Sequence, residues 1–166
     1  MCKNSIFALV LLTSAIIGLT GCLTSSPYGN FIENTAAAND QKIADDVVKK
    51  LVTLYPPAST RFDLEHGTPD FFGSTLIESL RANGYAVLEF KSEPKIGSVD
   101  NADNAGQVHT AEPSSPGLPL SYVMDQAKGS NLYRVSLVIN HGQSLARAYQ
   151  LQEGTIYPAG YWVHKE

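Results

Sequence analysis

Cysteine is nearly missing from this sequence. Only Cys2 and Cys22 occur in 166 residues, on either side of the apolar run Ile6 to Leu19. If the run is an export signal, Cys2 leaves with it and one cysteine remains. No intrachain disulfide is then available, and the fold must stand on its core. Histidine occurs four times, at 66, 109, 141 and 164, never in HExxH and never in an H-x-E set feeding a cysteine pair. That excludes the common zinc motifs. There is no GxSxG elbow, since Gly129-Ser130 falls in an expected hairpin turn, and no Walker loop or dinucleotide fingerprint. No basic block of five residues appears, so direct nucleic-acid binding is not expected. The acidic DNADN stretch, 100–104, does not match the spacing of an EF-hand loop, where oxygens at alternating positions precede a Gly and a final Glu closes the set. No cofactor, no metal and no enzymatic activity are expected.

What is present begins with export chemistry. Lys3 precedes about fourteen apolar residues, near 21 Å as a helix, which is short for a bilayer core of about 30 Å. The order Leu19-Thr20-Gly21-Cys22 closes the run. An uncleaved membrane helix is one reading; a secretory signal over 1–21 with Cys22 as the first mature residue is the other, and the length favours it. Only a thiol can take the thioether-linked diacylglycerol, and several acyl chains together hold a protein to a bilayer where one does not. Leu23, in place of Asp, leans toward outer-membrane rather than inner-membrane retention. The mature chain has 145 residues, one domain's worth, with 11 Lys+Arg against 16 Asp+Glu, a formal charge of −5.

Residues 22–38 read as a flexible tether rich in Ser, Thr, Asn and Ala, able to reach some 50 Å when extended. Phe31-Ile32 is the exception inside it, an apolar pair that either folds back on the domain or docks a partner. The domain spans 39–166. Ile43, Val47, Leu51 and Leu54 mark a helix, with Asn39 or Asp40 as its cap and Pro56-Pro57 as its stop. TRFDLEH alternates as a short strand. Thr68 at N-cap, Pro69 at N1 and Asp70 in the first turn open a second helix with the stripe Phe72, Leu76 and Leu80; Gly84 closes it in the left-handed conformation. Tyr85 to Phe90 follows as a strand. Residues 91–117 form a long polar loop, either plain or ordered on contact with a partner. From Leu118 onward, three alternating strands with tight turns predict an antiparallel meander, Gly142 taking the positive φ of one turn. A last strand pair spans Thr155 to Tyr157 and Tyr161 to His164. The fold class is α+β, two helices packed on one face of a mainly antiparallel sheet.

The chemistry-bearing residues are few. Asp63, Glu65 and His66 are the nearest polar cluster, with Asp63 and Glu65 about 6.6 Å apart along a strand. That separation suits a glycosidase pair, but any solvated edge strand has it, and the solvated face is the reading preferred. Tyr157, Tyr161 and Trp162 near the end are candidate partner contacts, since aromatics bury area with few torsions; half-buried sheet cover is the alternative.

Four strings are the most individual: LYPPASTRFDL (54–64), LRANGYAVLE (80–89), GLPLSYVMDQ (117–126) and GTIYPAGYWVHKE (154–166). Together with Leu19 to Cys22 they resemble the TrbH family of conjugal transfer lipoproteins, over residues 40–166 and more weakly across 92–114. The resemblance implies a component of the envelope-spanning type IV secretion (mating-pair formation) apparatus near its outer-membrane part, with other channel subunits as partners and a periplasm-facing domain. It carries over one residue role, acylation of Cys22. Arg61, Tyr85, Tyr122, Arg147 and Trp162 lie in the resembling strings without a family role. A structural, lipid-anchored subunit is the expectation; a transient assembly factor and a periplasmic small-ligand binder or enzyme are the alternatives.

Overall fold

The computed structural model describes residues 26–32, 35–91 and 116–166. The signal segment, Cys22 and most of the 91–117 loop lie outside the described residues. The described elements are β1 (Gly29–Asn30), α1 (Ala37–Leu54), β2 (Arg61–Leu64), α2 (Phe71–Ala82), β3 (Ala86–Leu88), β4 (Leu118–Gln126), β5 (Leu132–Ile139), β6 (Gln143–Gln152), β7 (Thr155–Pro158) and β8 (Val163–Lys165). The strands form one mixed sheet in the order β3-β2-β4-β5-β6-β7, with β1 also on β4 and β8 also on β6. The architecture is the expected α+β. Among the described residues no helix is long and apolar enough to cross a membrane.

The core follows the two periodicities. Ile43, Val47 and Leu51 of α1 and Phe72, Leu76 and Leu80 of α2 are fully buried, and so are the inward residues of the meander, Leu120, Tyr122, Met124, Val135, Leu137, Ile139 and Leu145. Each fully buried aliphatic or aromatic side chain removes enough surface from water to stabilise the fold by about 1.5–3 kcal/mol before entropy is charged. Phe62 and Leu64 point inward from β2 while Arg61 and Asp63 point out, as the alternation requires.

The structure departs from the sequence expectations at several ends. Helix α1 starts at Ala37 after Ala36, and neither Asn39 nor Asp40 caps it. Asn39 is taken by a distant turn instead: its amide donates to the Gly154 carbonyl at 3.1 Å and its Oδ1 accepts from Ile156 N–H at 3.1 Å. The cap of α2 is Asp70, not Thr68, and its Oδ1 accepts from Gly73 N–H at 2.9 Å. Aspartate caps as well as threonine does, and Tyr122 fixes Asp70 through its other oxygen. Between β5 and β6 the positive φ falls on Asn140 (50°) and His141 (57°), not Gly142. Gly142 N–H donates to the Ile139 carbonyl at 3.4 Å, closing a turn whose two central residues are Asn140 and His141, and a turn of this hand needs both left-handed. Gly84 is left-handed as expected, at 89°.

Several strand pairings differ from what the sequence predicts. β2 lies parallel to both β3 and β4, so the sheet is mixed on that side. The last two strands do not pair with each other; β7 runs along residues 149–152 of β6 and β8 along residues 144–146 of the same edge. Inside the expected tether, Gly29–Asn30 pairs in parallel with Val123 and Met124, and Phe31 N–H donates to the Met124 carbonyl at 2.8 Å.

Candidate interaction edge and its polar supports

The edge formed by β7 and β8 is one interrupted strand. Ala159 N–H still donates to the Ala148 carbonyl at 2.9 Å, and residues 160–162 then loop out before β8 resumes. Arg147 on β6 holds that loop. Its Nε donates to the Gly160 carbonyl at 2.9 Å and its guanidinium lies over the Trp162 ring, 5.7 Å from the centroid. The other end of the guanidinium reaches α1: Nη1 donates to Asp46 Oδ1 at 3.0 Å and Oδ2 at 2.7 Å. Tyr149 OH donates to the same Oδ2 at 2.7 Å. Burial first, and then the Asp46 carboxylate, push the Tyr149 hydroxyl well above the ordinary tyrosine range, so it stays a donor. Helix α1, strand β6 and the C-terminal loop are thus joined by one carboxylate.

This support presents aromatic groups to solvent. Tyr161 is 95% exposed, Val163 64% and Tyr157 50%, with Lys42 against the Tyr157 ring. Trp162 is half-buried and packs on the core. Of the three expected contacts, Tyr157 and Tyr161 are therefore free to touch a partner, while Trp162 mainly covers Arg147. Phe31-Ile32 divides in the same way: Phe31 is exposed and Ile32 packs on the core.

Asp63, Glu65 and His66 do not converge. Asp63 pairs with Arg61 at 2.7 Å and accepts Gly117 N–H at 3.0 Å, and the Arg61 hydrogen bond holds its carboxyl below the usual carboxylate value. Glu65 accepts from Ser121 Oγ at 3.1 Å and faces His141 at 3.4 Å. His66 turns inward and is buried. Its Nε2 accepts the Tyr122 N–H at 3.1 Å, which leaves Nδ1 to donate to the Gly67 carbonyl at 2.9 Å. The ring fills a gap in the sheet. Glu65 N–H bonds the Leu120 carbonyl, His66 takes the next β4 group, and β1 takes the ones after it. Tyr28 stacks on His66 at 5.7 Å, fastening the N-terminal strand to this splice. Sequence patterning missed it because no periodicity marks a histidine that replaces a strand residue.

One buried charge is poorly matched. Asp40 is only 3% exposed, and its Oδ1 has no hydrogen-bond partner among the described residues. Burial raises its pKa from 3.8 to about 6, with a Thr35 hydrogen bond opposing and Asp70 adding to the rise. The native state therefore holds this proton more tightly than the unfolded chain. The resulting stability is complete below pH 3.8 and is lost as pH rises to about 6. Asp40→Asn should add about 2 kcal/mol at neutral pH and nothing in strong acid. Urea midpoints of both proteins across that range check it, and a constant difference at every pH would refute it.

No curated protein and no solved structure matches the chain significantly. A family model does match, that of the conjugal transfer protein TrbH, over residues 25–166. It takes in the whole described domain, with β1, the Arg147 support and the aromatic edge, and on that span the chain belongs to the TrbH family of conjugal transfer proteins.

Proposed function

We propose that this protein is a lipid-anchored, non-enzymatic structural subunit of a conjugative type IV secretion apparatus. Acylated Cys22 fixes it to the outer membrane, the domain faces the periplasm, and the β7–β8 edge binds another channel subunit. The observation that carries the partner role is that edge. Exposed Tyr157, Tyr161 and Val163 sit on a strand whose looped middle is held by Arg147 and Asp46. Rigid, exposed aromatics bind at small entropic cost, and an open sheet edge offers backbone groups to a partner strand. The non-enzymatic reading rests on how the polar groups are spent, since Asp63, Glu65 and His66 each have a separate structural partner.

Mild detergent extraction of conjugation-competent cells carrying a C-terminally tagged copy tests both halves. Other channel subunits should be recovered with the wild-type protein. Cys22→Ser should release the protein from the membrane, reduce that recovery and lower DNA transfer. Tyr161→Ala should leave membrane association and stability unchanged but weaken recovery by about tenfold, as loss of an aromatic anchor does. Normal transfer by the unacylated protein would remove the anchor. Recovery of the wild-type protein alone, with transfer still dependent on it, would favour a transient assembly factor.

A further inference from the structure

The N-terminal strand changes how far the domain stands from its anchor. A free tether to α1 would allow some 50 Å. But Tyr28 stacks on His66, Gly29–Asn30 pairs with Val123 and Met124, and Phe31 N–H bonds the Met124 carbonyl. Asn30 Oδ1 also accepts the Ile32 N–H at 2.9 Å, and Ile32 packs on the core. The chain between Cys22 and the first fastened residue, Tyr28, is six peptide steps, about 20 Å at full stretch. Phe31, on this fastened strand, is 55% exposed.

Resting on the acylation of Cys22 proposed above, we infer that the β1 edge of the domain lies against the bilayer, with Phe31 as its lipid contact. The lipid surface is the occupant that chain length selects: anchor and strand are too close for the domain to leave the interface while β1 stays paired. The apolar ring suits the boundary between headgroups and acyl chains. The mature charge of −5 gives no attraction to anionic lipid, so the contact should not require it.

The test uses the full-length acylated protein in phosphatidylethanolamine vesicles with a minor fraction of phosphatidylglycerol. Cys22 is blocked by its lipid and Cys2 leaves with the signal, so an introduced cysteine is the only thiol. A donor dye is placed at Phe31→Cys in one sample and Tyr161→Cys in another, with the acceptor on lipid headgroups. Energy transfer should be stronger from position 31, and a long Gly-Ser insertion after Ser25 should lower it by about twofold or more. The insertion lies outside the domain, so folding is not at stake. Equal transfer from both positions, unchanged by the insertion, would overturn the inference while leaving the anchor intact. Protein that fails to float with the vesicles would remove the anchor and the inference together. Shielding of position 31 by other channel subunits and not by vesicles would overturn the lipid contact in favour of a protein one.

Discussion

Gly73→Ala should destabilise the domain by about 3 kcal/mol, although helix propensity alone favours alanine by nearly 1 kcal/mol. Gly73 lies in the first turn of α2, where the fully buried Tyr122 reaches up from β4. A methyl group there would overlap the Tyr122 hydroxyl and sit 2.7 Å from the Thr68 Cβ. Neither neighbour is a flexible chain end. Tyr122 OH donates to Asp70 Oδ2 at 2.6 Å, its ring stands edge-on to Phe72 and His66, and its N–H is held by His66. Burial, and then Asp70, push the Tyr122 hydroxyl far above the usual tyrosine value, so it remains a donor to that carboxylate. Relief would require moving α2 away from the sheet, and the Asp70 cap would move with it. Tyr122→Phe alone should cost about 1.5 kcal/mol, for one hydrogen bond to a charged group. The double variant should then be more stable than Gly73→Ala by itself, because the hydroxyl is gone and only the Thr68 overlap remains. Urea midpoints at constant m-value read the difference. A Gly73→Ala protein as stable as wild type would refute the packing argument.

The same neighbourhood shows what a sequence reveals and what it hides. The stripes of α1 and α2 and the alternation of β4, β5 and β6 were legible because burial imposes a period on consecutive residues. The left-handed turn at Gly84 was legible because one residue type tolerates it. The contacts that set the ends of elements were not. Asn39 looks like a cap, yet it serves Gly154 and Ile156, more than a hundred residues away. Thr68-Pro69 looks like a helix start, yet Asp70 is chosen by Tyr122 on another strand. β1 has two residues, too few for any period, and His66 fills a strand position with a side chain. The Arg147 support is equally silent, since Asp46 lies on a helix and Arg147 on a strand, each in a locally ordinary place. Tyr161 and Phe31 could be named beforehand because an exposed aromatic stands out from polar neighbours; how their strands are held could not.

That support gives the second large effect. Asp46→Ala should destabilise the domain by about 2 kcal/mol. It strands the Arg147 guanidinium and the buried Tyr149 hydroxyl together, since both donate to one carboxylate. The loss stays below that of a fully buried pair because Arg147 and Asp46 side chains keep 19% and 24% exposure, and water screens part of the attraction. Arg147→Lys separates stability from edge geometry. Lysine keeps a charge near Asp46 but has no planar fork, so it cannot bond Asp46 and Gly160 together or lie flat over Trp162. Its cost should be about 1 kcal/mol, while the loop at 160–162 loses its hold. Trp162 is the single tryptophan, so its fluorescence reports that loop alone. Arg147→Lys should shift the emission toward that of a solvated indole with the melting temperature nearly kept, and Asp46→Ala should change both. If emission stays fixed in both variants, Arg147 does not position the loop. If the loop is released and channel subunits are still recovered in full, the partner does not need the edge held in the form seen here.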